Sequence, residues 1–400
     1  MADVLGAGAL LLNLLMVSAL VARRQRFTLI LLTALTLRTS AALIHYYVLP
    51  LPGGLADAVG FERTAWEFSQ DIWGTITDFR YSTSYIYSLF LAIPYAFTDR
   101  SPLMLQAFSV LVGTLNVYLV WKLASELWGR EYASRPAWIV AIFPIPVMYA
   151  ALTMREAYIT FFVLLALLFV ARWVNSGKLR HLAGSVVAFG MGAAFHGGII
   201  VGLLSLVALI VLSAGTGLAA GLVKGRVPLR SFAIVMAAVI GLLLLFLVDP
   251  SIPKLGRPTQ LLGPERYLQV LGVRARGDAS YPVWLVASNG LELVYLVPLR
   301  VAYFLFSPFP WDVRQAAHFI GLADGLIFMA LTFAVAANFD LIKRNKAALM
   351  VFLILAGLIV AFSMGTSNFG TALRHRSKFV FILVILAVPA YTRLRRKIAR

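Results

Sequence analysis

Apolar residues run through this chain in long blocks rather than alternating with polar ones. Blocks cover residues 3–22, 27–49, 103–124, 136–153, 157–174, 182–197, 199–214, 231–248, 316–339, 347–365 and 378–392. Most approach the ~20 residues that a helix needs to cross ~30 Å of hydrocarbon. The pattern predicts an all-α fold: a polytopic transmembrane helical bundle of about eleven spans, read as one transmembrane domain over residues 1–400. The first block closes with Arg23-Arg24-Gln25-Arg26 and lacks both a basic leader and a small-residue cleavage site. It therefore reads as an anchor rather than a signal peptide.

Two further apolar stretches, 81–97 and 281–306, lie inside the long segments 50–101 and 249–314. What they do depends on orientation, and orientation depends on charge. Arg23, Arg24, Arg26, Arg130, Arg135, Arg172, Lys178, Arg180, Lys224, Arg226, Arg230, Lys343, Arg344, Lys346 and the basic tail from Arg393 fall on one side under strict alternation. The positive-inside rule makes that side the cytoplasm, with the N-terminus outside and the C-terminus inside. Either extra stretch would break this alternation as a full span. Each is therefore expected to be a re-entrant or interfacial helix in a long extracytoplasmic loop, with a tight pair as the alternative for 281–306. Tyr81, Tyr85, Tyr87 and Tyr95 suit the headgroup layer.

Composition narrows the picture further. The chain is 61% hydrophobic and 13% charged, with mean hydropathy +0.87. Soluble enzymes, nucleic-acid-binding domains and disordered chains are excluded on that ground. The net charge of +18 reflects 35 basic against 17 acidic residues, and the orienting residues account for most of it without a nucleic-acid partner. With no cysteine, disulfides, thiol nucleophiles and cysteine metal sites are ruled out. The histidines are scattered without ligand spacing.

Six of the 17 acids lie in the first long outer loop. Asp57, following Gly53-Gly54, could accept a proton from an attacking hydroxyl, or could cap a helix starting at Ala58. Arg155-Glu156 sits on a tight outer turn, where the two could neutralise each other or hold an acceptor or a phosphate. Arg374-His375-Arg376, with Lys378, lies on the outer side, where a basic cluster breaks the orientation rule. Bidentate recognition of a phosphate or pyrophosphate explains it, and snorkelling to headgroups is the alternative. His196, at the turn of a helix pair, could serve a ligand or a local hydrogen bond. Arg300 precedes the aromatic run Tyr303–Trp311, suited to a lipid tail, a sugar face or interfacial anchoring, and Arg266 adds a further outer cation.

The layout resembles the GT-C superfamily of polytopic glycosyltransferases. The likeness rests on Asp57-Ala-Val-Gly-Phe61 with Ala65, Tyr85-Ile-Tyr87 through Pro94, Ser101-Pro102-Leu103, Asn116, Trp121-Lys122 through Trp128-Gly129, Phe143-Pro144 and Arg155-Glu156-Ala157. It implies a transferase taking sugar from a polyprenyl-(pyro)phosphate carrier to a hydroxyl acceptor at the extracytoplasmic face, with inversion. By the same resemblance Asp57 activates the acceptor, Glu156 is the second acidic position, and Arg374 with Arg376 holds the carrier phosphate, which Arg300 or Arg266 could also reach. Many relatives have two adjacent acids in the first loop, whereas Ala58 follows Asp57 here. A divalent cation is thus not supported by ligand spacing, and no metal is assigned. Arg155, His196 and Arg374-His375-Arg376 are also similar to O-antigen and exopolysaccharide polymerases. A lipid-sugar flippase, from another functional class, would predict internal repeats, and none is found. The expected partners are a polyprenyl-linked sugar donor, a glycan or lipid acceptor and membrane lipids.

Overall fold

A computed structural model describes residues 2–21, 25–79, 85–249, 279–316 and 318–392. Among them the chain is all helical apart from one isolated β-bridge between Ser280 and Asn368. In chain order the α-helices are α1 (Ala2–Val21), α2 (Gln25–Tyr47), α3 (Asp57–Ser69), α4 (Ile72–Thr77), α5 (Ile86–Phe97), α6 (Pro102–Trp128), α7 (Ser134–Ile142), α8 (Pro144–Ala150), α9 (Glu156–Ser176) and α10 (Leu179–Phe195). There follow α11 (Ile200–Val223), α12 (Leu229–Val248), α13 (Gly290–Phe306), α14 (His318–Ala337), α15 (Phe339–Arg344), α16 (Lys346–Met364), α17 (Phe369–Arg376), α18 (Val380–Leu386) and α19 (Val388–Tyr391).

Eight of the described helices are long and apolar enough to cross a membrane: α1, α2, α6, α9, α11, α12, α14 and α16. The expected count of about eleven included segments that the structure shortens or breaks. Residues 136–153 divide into α7 and α8, because Pro144 has no N–H to continue the ladder. The buried Arg38 of α2 takes over that role. Its Nη2 donates to the Val140 carbonyl (3.2 Å), which Pro144 leaves without a helical partner, and its Nη1 donates to Ala141 O (2.9 Å). The block 378–392 likewise breaks, at Ala387, into α18 and α19. The stretch 81–97 yields the 12-residue α5, about 18 Å long and too short to span. The stretch 281–306 yields the 17-residue α13.

The chain forms two compact units. The first draws on residues up to His196, on Leu326–Leu349 and on the chain from Arg374; the second comprises Gly197–Gly325 and Met350–Leu373. In the first, α6 is the central post. Gly6 lets α1 approach it closely, since a Cβ there would fall 2.6 Å from Leu103, and Asn13 donates to Ala107 O at 2.7 Å. Trp128 at its far end donates to Ile385 O (2.8 Å), anchoring the wholly buried α18. In the second unit, Arg300 of α13 is fully buried and donates to Leu285 O (2.5 Å) and Thr366 O (2.6 Å).

Two tyrosines expected at the headgroup layer are instead inside the protein. Tyr87 is 0% and Tyr95 2% exposed, because with Leu91 they occupy one stripe of α5 facing α3. Tyr85 is partly exposed, and Tyr81 lies outside the described residues.

Candidate active site

The site is assembled in the first unit from four places in the sequence: the start of α3, the start of α9, the end of α10 and the α17–α18 turn. Asp57 is the first residue of α3, so it does not cap that helix from outside; the N-cap position is Ala56, which makes no side-chain cap bond. The Asp57 carboxylate, about half exposed, pairs with Arg374 Nη1. Arg374 Nε donates to Glu156 Oε1 at 2.5 Å. One guanidinium thus bridges two carboxylates that lie a hundred residues apart.

Glu156, at the first turn of α9, is buried, and Lys378 Nζ lies 3.4 Å from the same Oε1. Lys378 follows Arg374 by one helical turn, which aims both cations at one acid. Its ammonium also reaches Arg374 O (3.3 Å) and His375 Nδ1 (3.0 Å). Burial pushes the Lys378 amine down to about 7, outweighing the pull of Glu156, with Arg374 and Arg155 pushing the same way. His375 is held well below the usual imidazole range, first by burial and then by Lys378. Its ring meets His196 edge to face, 5.2 Å between centroids. Burial opposes the charge on Arg374, but the Glu156 and Asp57 carboxylates keep its proton affinity above that of a free guanidinium.

Arg155 does not simply neutralise its neighbour Glu156. Its guanidinium lies 5.3 Å over the Phe61 ring of α3, and Nη1 donates to the Phe195 carbonyl at the end of α10 (3.3 Å). Arg155 Nε and Arg374 Nη2 are buried and have no acceptor among the described residues. Farther along α3, Glu62 is clamped by Arg100, at 2.9 Å to Nε and 2.7 Å to Nη2, and by the Tyr95 hydroxyl at 2.9 Å. That latch fixes the helix that carries Asp57.

Of the residues singled out in the sequence, Asp57, Arg155, Glu156, His196, Arg374 and His375 come together. Arg376 does not join them. It is about 200° around α17 from Arg374, fully buried, with its guanidinium 5.3 Å from the Phe328 ring. Arg300 belongs to the second unit, its guanidinium engaged by backbone carbonyls. Arg266 lies outside the described residues. In the sequence Lys378 stands within the basic cluster and Asn116 within the family resemblance, and neither is assigned a site role there, although the four-residue spacing from Arg374 points to Lys378. Asn116 donates from Nδ2 to Ala157 O (2.9 Å), gripping the turn that presents Glu156.

Residues 82–248 match a family model described as dolichyl-phosphate-mannose-protein mannosyltransferase. The chain is a membrane glycosyltransferase of the GT-C kind. The matched stretch of this glycosyltransferase carries Arg155, Glu156 and His196, while Asp57 and Arg374 lie on either side of it. No curated protein and no solved structure matches the chain.

Proposed function

We propose that the protein transfers a mannosyl group from a polyprenyl-phosphate carrier to an acceptor hydroxyl, at the Asp57–Arg374–Glu156 cluster. The observation that carries this reading is the shared guanidinium. Arg374 neutralises both acids in the resting protein, and its Nη2 and Arg155 Nε remain as buried donors for phosphate oxygens. A doubly hydrogen-bonded phosphate is a stronger partner for Arg374 than a half-exposed carboxylate. Donor binding therefore draws Arg374 toward the phosphate and frees Asp57. The Asp57 carboxylate takes the acceptor's proton, the hydroxyl oxygen attacks the anomeric carbon, and the C–O bond to phosphate breaks with inversion. The leaving phosphate keeps the bonding electrons, and Arg374 and Arg155 stabilise its added charge.

The local charge supports a mechanism routed through side chains. Arg155, Arg374 and Lys378 outnumber Asp57 and Glu156, and both acids are already engaged by Arg374, so this donor set does not suit a divalent cation. We place the site on the extracytoplasmic face, with the N-terminus outside and the C-terminus in the cytoplasm. The short α5 serves as an interfacial or re-entrant element beside it. Both assignments are supported by the distribution of Lys and Arg along the chain.

The test is turnover of polyprenyl-phosphate mannose by purified protein with source membranes supplying the acceptor. Asp57→Asn should slow transfer by roughly 10²-fold or more while leaving donor binding in place. Full activity in Asp57→Asn, with loss in Arg155→Ala and Arg374→Ala, would instead favour a polymerase driven by arginines.

A further inference from the structure

Beneath Glu156 lies a small cavity lined by Asn116, Tyr149, Glu156, Thr160, Ser377 and Phe381, with room for little more than one water-sized group. Two of its walls are acceptors with unmet demand. Glu156 Oε1 takes Arg374 and Lys378, but Oε2 is buried without a donor among the described residues. Asn116 is 1% exposed; its Nδ2 is committed to Ala157 O, which fixes the amide and leaves Oδ1 buried and, among the described residues, equally without a donor. Leaving such groups unmatched is costly, so two such residues lining one cavity call for a guest that donates. Three cations already crowd Glu156, which argues against a metal ion or ammonium as that guest. A neutral hydroxyl fits the size and the chemistry.

We propose that this cavity reads one hydroxyl of the transferred sugar, with Asn116 and Glu156 as specificity-determining residues. The inference rests on the donor and site assigned above and extends them. The pyranose ring is too large for the cavity and stays outside it, near Arg374, while one hydroxyl projects inward and donates to Oδ1 or Oε2. Water supplies the same chemistry in the resting protein. A site built to hydrogen-bond a hydroxyl rejects the analogue that lacks it, because its acceptors are then left unpaired.

Equilibrium binding of the full-length purified protein to short-chain polyprenyl-phosphate mannose and to its 2-, 3-, 4- and 6-deoxy analogues tests this. The wild type should bind one deoxy donor on the order of a hundredfold more weakly than the parent, and the other three much as the parent. Asn116→Leu should shrink that single penalty to about tenfold or less, with little change in the ratios for the other analogues. Equal wild-type affinity for all five donors would overturn the proposal and leave the cavity to water alone. So would a uniform loss across all five in Asn116→Leu, which marks a purely structural asparagine. Should Asn116→Leu fail to fold, Asn116→Ala and Asn116→Ser provide the same ratios. Failure of the wild type to bind the parent donor removes the mannosyl assignment itself, a result distinct from equal binding of all five.

Discussion

Arg374 and Arg300 are both largely buried, and both were candidates for holding the carrier phosphate. Their surroundings separate them. Arg300 meets backbone carbonyls of Leu285, Ser363 and Thr366, neutral acceptors that cannot leave without unravelling the chain around them. Arg374 meets two carboxylates, one of them half exposed, which are side-chain acceptors that can turn away without disturbing the backbone. A guanidinium surrounded by carbonyls is a structural brace. One that bridges side-chain acids can exchange an acid for a phosphate. Arg38, which supplies the hydrogen bond that Pro144 cannot, is a second brace of the Arg300 kind.

The sharpest way to break this contrast is to alter the acid that Arg374 would release. Asp57→Asn is expected to lower kcat by roughly 10²–10⁴-fold with donor KM little changed. Next, Arg374→Ala should reduce kcat/KM by about 10²-fold, mainly through donor KM, with the protein still folded. Arg300→Ala should do the reverse. It should destabilise the protein by about 2–4 kcal/mol, since buried carbonyls lose their donor, while kcat/KM of the folded fraction stays within about threefold. Detergent-phase thermal unfolding alongside kinetics reads both quantities, and equal catalytic losses at the two arginines would dissolve the distinction.

A smaller effect tests the charge crowding around Glu156. The Lys378 amine sits near 7 in the folded protein against 10.5 for a free lysine. Between those values the unfolded chain holds a proton that the native chain does not, so unfolding takes up a proton and stability rises with pH. Below pH 7 both states are protonated and the contribution is flat. Thermal midpoints measured from pH 6 to 10 should show this rise, and Lys378→Met should flatten it. The smallest effect is expected at Arg100→Ala. Loss of the Glu62 latch should reduce kcat by about three- to tenfold through misplacement of α3, with donor binding nearly intact. Arg100→Lys should recover only part of it, because lysine cannot reproduce the two-point contact.

Apolar blocks of membrane-spanning length, the GT-C character and the three segments that meet at the Arg374 guanidinium stand out in the chain, because each is a local property. A run of twenty apolar residues needs hydrocarbon whatever it packs against, and a basic cluster that violates charge alternation stands out without a structure. Asp57, Glu156 and Arg374 could each be named for that reason. The ends of the helices were less legible. Pro144 gives the break in residues 136–153, but only the buried Arg38 shows how a membrane protein tolerates the freed carbonyl. Tyr87 and Tyr95 look like interfacial aromatics in sequence, and packing against α3 turns them inward.

Pairing was decided by the tertiary structure alone. Nothing in the sequence says that Arg374 reaches back 317 positions to Asp57, that Arg376 turns to Phe328 instead, or that Arg300 is surrounded by carbonyls. Composition, hydropathy and charge alternation are sums over neighbours in the chain, so they determine the solvent a segment requires and the side it faces. Whether a buried arginine braces the backbone or waits for a phosphate depends on which acceptors distant segments bring within 3 Å, and only the folded chain sets that.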